Sequence, residues 1–155
     1  QNICDDRLTV QADVFPTLAD LCGINVPNTV EGLSMIGSQK RDYIYGEHWE
    51  DFRASRMIRD ERYKLIYYPF GNTVQLFDLE NDPDEMYDLA NNIREQNVIQ
   101  HLTEILISNL YGSDEKFVRD GKLIGSPVSE TDIKKGSEGD RGLGGQRGWR
   151  FGASG

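Results

Sequence analysis

Between Tyr43 and Leu79 the chain carries four short runs rich in aromatic and β-branched residues, and the gaps between them leave room only for turns and short loops. The runs are Tyr43-Ile44-Tyr45-Gly46-Glu47, Ala54–Arg59, Arg62–Tyr68 and Val74–Leu79. Their composition favours strands. Asp60-Glu61 and Pro69-Phe70-Gly71-Asn72 are turn signals between them. Parallel neighbours need a crossover of about a dozen residues or more, so these strands are expected to form an antiparallel meander.

Both flanks change to helical spacing. Upstream, Val14, Leu18, Leu21 and Cys22 recur as one side of a short helix. Asp13 is expected to cap it, Pro16 suits its first turn, and Gly23 suits the left-handed position after its end. Cys22 is read as a small buried residue on the inner side. Asn25 to Arg41, with Pro27, Gly32 and Gly37, reads as a loop. Downstream, Asp82-Pro83 occupies the first two positions of a turn. From Arg94 to Leu110, Val98, Leu102, Ile105, Leu106 and Asn109 fall on one side, widened by Ile99 and Leu110. That helix is expected to cover one face of the sheet. The fold class is therefore α+β: a small four-stranded antiparallel sheet covered by a long helix, preceded by a short helix and followed by a Gly-rich tail.

Ten of the 16 glycines lie in residues 121–155, and the segment from Ser126 has few branched apolar residues. It is expected to be a mobile arm unless another surface orders it. The resulting division is 1–40 as a short helix and connecting loop, 41–125 as the sheet-and-helix unit, and 126–155 as tail. The formal net charge is -9, with 10 Lys/Arg against 21 Asp/Glu in residues 1–118. That balance argues against nucleic acid as a partner. No apolar run reaches the ~18 residues of a membrane helix, and the first residues have no signal-peptide pattern.

Chemistry is sparse. The run Asp78, Glu80, Asp82, Asp84 has the alternation of a calcium loop, but Pro83 and Leu89 stand where Gly and Glu are required. Gly142-Leu143-Gly144-Gly145-Gln146-Arg147-Gly148 has the wrong spacing for a dinucleotide fingerprint. Neither Cys4 nor Cys22 has the neighbours of a zinc site. Arg53, Arg56, Arg59 and Arg62 are read as solvated or locally paired rather than as an anion clamp, and His101 as a surface or packing residue of the long helix. Glu47-His48-Trp49 is the densest polar–aromatic cluster, placed at a strand end. It is the candidate substrate-binding loop, with His as donor or acid and Trp as a stacking face. No nucleophile with a base beside it is visible, so the catalytic and metal-binding sets are empty.

Asp13-Val14-Phe15-Pro16-Thr17-Leu18-Ala19-Asp20-Leu21-Cys22-Gly23, the Tyr45-Gly46-Glu47 and Arg62-Tyr63-Lys64-Leu65-Ile66 strands, and Leu76-Phe77-Asp78-Leu79-Glu80-Asn81-Asp82-Pro83-Asp84-Glu85 followed by Asp88-Leu89-Ala90 together resemble the C-terminal region of sulfatases of the arylsulfatase type. The resemblance covers about residues 8–125. It implies a parent enzyme that hydrolyses sulfate esters of small molecules or glycans, in the periplasm or secreted, with a formylglycine nucleophile and a calcium ion. The formylglycine arises in a Cys/Ser-x-Pro/Ala-x-Arg motif, which neither cysteine here has. Nucleophile, metal ligands and the catalytic domain are thus expected upstream, and this stretch alone is expected to be inactive. The first helix packs on the catalytic domain in that family. In isolation the helix or the tail is expected to be poorly ordered, swapped or self-associated. Alternatives are a phosphonate or phosphodiester hydrolase of the same superfamily, and a stand-alone α+β binding module.

Overall fold

Four strands form the antiparallel sheet in the simple order β1-β2-β3-β4: β1 Ile44–His48, β2 Ser55–Arg59, β3 Tyr63–Tyr68 and β4 Thr73–Asp78. This computed structural model describes residues 5–50 and 53–126. Ile58 faces Leu65, and Leu65 faces Leu76, across three neighbouring strands. Alternation puts these residues on one face, where they meet Leu102 and Leu106 of the long helix α2, Gln96–Asn109. All five are fully buried, and Tyr67 and Phe117 complete the cluster. Each buried aliphatic side chain contributes roughly 1.5–3 kcal/mol of transfer free energy. The sheet therefore owes its stability to the helix laid over it.

Asp82–Glu85 closes as a turn, with the Glu85 amide donating to the Asp82 carbonyl at 3.0 Å. The segment after it guards the outer edge of β4. Leu89 donates to the Leu76 carbonyl at 2.8 Å, and Leu76 donates to Asp88 Oδ1 at 3.1 Å. Beyond α2 a 3-10 segment, Gly112–Phe117, leads to a two-residue hairpin of β5 Val118–Arg119 and β6 Lys122–Leu123. Asp120 and Gly121 both have positive φ, 50° and 70°, as a two-residue hairpin of the favoured twist requires. The Asp-Gly pair is the local sequence signal for this hairpin. The tail expectation falls on residues 127–155, outside those described.

The short helix α1 spans Val14–Leu21, but its orientation departs from expectation. Pro16, Thr17 and Ala19 are buried, while Phe15, Leu18 and Leu21 are 55%, 56% and 64% exposed. Cys22, expected inside, is exposed. The reason lies in Asp13, which is 1% exposed and makes no capping bond to α1. Its carboxylate accepts from the amides of Val10 and Leu33, both at 2.8 Å, and from both terminal nitrogens of Arg41 at 2.6 Å. Thr17 Oγ1 donates to the Asp13 carbonyl and accepts from the Met35 amide at 2.9 Å. These polar bonds turn the Asp13–Thr17 side of the helix toward the 31–41 loop and leave the apolar stripe facing outward. A Cβ at Gly32 would lie 2.1 Å from the Ala12 carbonyl oxygen, so the loop can approach this closely only with glycine there.

Candidate substrate-rim site

The candidate loop begins where β1 ends. Glu47 and His48 are consecutive strand residues, so they point to opposite faces of the sheet. Glu47 shares the helix-covered face with Tyr45. Its Oε1 accepts from the Tyr111 hydroxyl at 2.8 Å, and its Oε2 faces the Tyr45 hydroxyl at 3.5 Å. The Glu47 carboxylate raises the Tyr111 pKa, while burial is the main cause that raises that of Tyr45. Both phenols therefore keep their protons and act as donors. His48 lies across the sheet from this pair and meets Trp49 edge to face, with ring centroids 5.5 Å apart.

Trp49 turns the chain, with φ of 57°. A bulky residue in the left-handed region costs about 1–3 kcal/mol and persists only where its surroundings hold it. Arg53 lies over the indole, its guanidinium carbon 3.9 Å from the ring centroid, so one stacking face is already used. Trp49 Nε1 is buried without a hydrogen-bond acceptor among the described residues.

Arg56 holds this turn. It is 2% exposed, and its Nη1 donates to the carbonyls of His48, Trp49 and Ser55 at 3.3, 2.8 and 2.9 Å. Its Nε and Nη2 form a two-point pair with the Asp114 carboxylate, the Nη2 bond at 2.8 Å. Burial works against the Arg56 charge, but Asp114 more than offsets it and holds the guanidinium pKa above its usual value. Sequence reading missed this pair. Arg56 lies in phase with buried Ile58, and a charge in a core phase signals a buried partner. The partner itself, 58 residues further on, left no local trace. The other arginines are paired or exposed as expected: Arg62 holds Asp78 at 2.7 Å, and Arg59 is exposed.

A cleft of about 660 Å³ runs beside the outer edge of β1. Tyr43, Tyr45, Glu47, Asn109 and Tyr111 line one part, and Arg41 and Glu31 another. Hydroxyls, an amide and carboxylates among aromatic surfaces suit a hydroxyl-bearing ligand. The described residues do not fit the formylglycine and calcium expected of the parent. Cys22 is followed by Gly23-Ile24-Asn25-Val26. Asp78 is held by Arg62 and Asn81, and Asp82 accepts from the Tyr87 amide.

The family described as N-sulphoglucosamine sulphohydrolase, C-terminal, matches residues 1–111. An arylsulfatase of Clostridium perfringens is 36% identical over 131 residues, which cover 80% of this chain and 27% of that protein. A delta 4,5-hexuronate-2-O-sulfatase of Bacteroides thetaiotaomicron is 36% identical over 98 residues, covering 55% and 20%. A solved 2-O GAG sulfatase superposes with a TM-score of 0.60 at 27% identity, over 74% of this chain and 27% of that one. The chain spans about a quarter of the length of these relatives. By its matched residues and its sheet-and-helix fold, the chain belongs to the family of sulfatase C-terminal domains.

Proposed function

We propose that this chain is the C-terminal part of a sulfatase that hydrolyses sulfate esters. The formylglycine nucleophile and calcium ligands lie in a preceding catalytic domain, and the chain is inactive alone. The observation that carries this reading is the family match over residues 1–111 together with sulfatase relatives several times longer than the chain. The uncovered apolar stripe of α1 supports it, because Phe15, Leu18 and Leu21 have the character of a surface made to be buried. The catalytic domain is the partner proposed for that stripe.

In this reading Glu47, His48 and Trp49 lie at the rim of the substrate pocket, and the substrate is a sulfated glycan or a smaller sulfate ester. Glu47 is preset as an acceptor for a substrate hydroxyl. The test compares the chain alone with the full-length enzyme on 4-nitrophenyl sulfate. Turnover is expected only from the full-length enzyme. Turnover by the isolated chain would overturn the assignment of the chemistry to the preceding domain.

A further inference from the structure

We propose that Arg56 and Asp114 are positioning residues that set the shape of the Glu47–Trp49 rim, and that the segment following α2 thereby controls substrate selection. This rests on the reading of that turn as a substrate rim. Two independent contacts tie the turn to one short stretch of chain. Tyr111 fixes the Glu47 carboxylate, and Asp114 fixes Arg56, which in turn gathers the carbonyls of His48, Trp49 and Ser55.

The chemistry requires arginine. The two N–H groups of Nη1 are shared among three carbonyls, while Nε and Nη2, in the same plane, each donate to one oxygen of the Asp114 carboxylate. A lysine ammonium has three donors at a single point and cannot span both sets. The asymmetry of burial matters as well. Arg56 and Asp114 are 2% and 3% exposed, so neither can turn to water if the other is lost. Removing the Asp114 charge leaves the guanidinium seeking a new partner. Its hold on the carbonyls at the left-handed Trp49 turn then weakens first, because that backbone conformation is the one that needs holding. The core cluster of Ile58, Leu65, Leu76, Leu102 and Leu106 includes neither Arg56 nor Asp114.

The test uses the full-length enzyme with Asp114→Asn and, separately, Arg56→Lys. Hydrogen exchange followed by mass spectrometry should show amides in residues 46–50 exchanging at least about tenfold faster in Asp114→Asn, with β3 and β4 at wild-type rates; tenfold corresponds to about 1.4 kcal/mol of local opening. Arg56→Lys should give the same local pattern and remains available if Asp114→Asn does not fold. In parallel, KM and kcat are measured on a heparin-derived 2-O-sulfated disaccharide for these variants and for Glu47→Gln. Asp114→Asn and Glu47→Gln should both raise KM several-fold while kcat is retained. Unchanged exchange at 46–50, or equal acceleration throughout the sheet, overturns the positioning role. A raised KM in Glu47→Gln alone also overturns it. Unchanged KM in Glu47→Gln with faster exchange at 46–50 in Asp114→Asn instead overturns the rim reading and leaves the Arg56–Asp114 hold standing.

Discussion

Replacing Asp13 with Asn should release α1 and the 31–41 loop without unfolding the sheet. The substitution keeps size and shape but removes the charge and converts one acceptor oxygen into a donor. In the native protein four bonds converge on the two oxygens, two from backbone amides and two from Arg41. With Asn, one amide, that of Val10 or Leu33, must face an NH2 group. An orphaned buried donor costs about 1–3 kcal/mol. Arg41 loses its counter-charge, but its side chain is 17% exposed and can recover some hydration. The penalty there falls below the roughly 3–5 kcal/mol of a fully buried broken pair. A combined cost of about 3 kcal/mol follows, close to a 100-fold change in an opening equilibrium. None of the residues involved belongs to the central core cluster, so the opening should be local. Amide exchange resolved by NMR is the assay. Leu33 and Met35 amides, bonded to Asp13 and Thr17, should lose about two orders of magnitude of protection, while Leu65 and Leu76 keep theirs. Wild-type protection at Leu33 and Met35, or equal loss at Leu65, would refute the view that a buried polar lock orients α1.

Three further outcomes are expected. Leu106→Ala should destabilise the whole domain by about 2–5 kcal/mol, read as a lowered urea midpoint with an unchanged slope, because Leu106 is 0% exposed between helix and sheet. Arg62, Asn81 and a backbone amide hold the Asp78 carboxyl well below the usual carboxylate range. A depressed pKa contributes stability above the unfolded value near 3.9, and that contribution is lost as pH falls through the folded value. Asp78→Asn should therefore flatten the loss of stability below about pH 4 measured by circular dichroism. Leu18→Gln should change the stability of this chain by less than about 0.5 kcal/mol, since Leu18 is already 56% exposed; a larger loss would show that α1 packs within the chain.

The strands and the long helix were legible because their determinants are local. Alternating apolar positions, turns only a few residues long and a helical stripe leave few arrangements, and the observed register pairs Ile58, Leu65 and Leu76 as that pattern demands. The Glu47–Trp49 cluster was also visible, as polar and aromatic residues at a strand end. What it does with its neighbours was not visible. Strand alternation separates Glu47 from His48, and Tyr111, Arg56 and Asp114 reach the loop from distant parts of the chain.

By itself the sequence determined the α+β architecture, the order of its elements and the presence of an amphipathic first helix. Only the tertiary structure decided which way that helix faces and what holds the candidate rim. A hydrophobic stripe states that a surface will be buried, but it does not name the surface that covers it. Here the buried Asp13 carboxylate faces the 31–41 loop and leaves Phe15, Leu18 and Leu21 exposed. Likewise, Arg56 in a core phase announces a buried charge. Its partner is chosen by three-dimensional proximity across 58 residues, which no local pattern encodes.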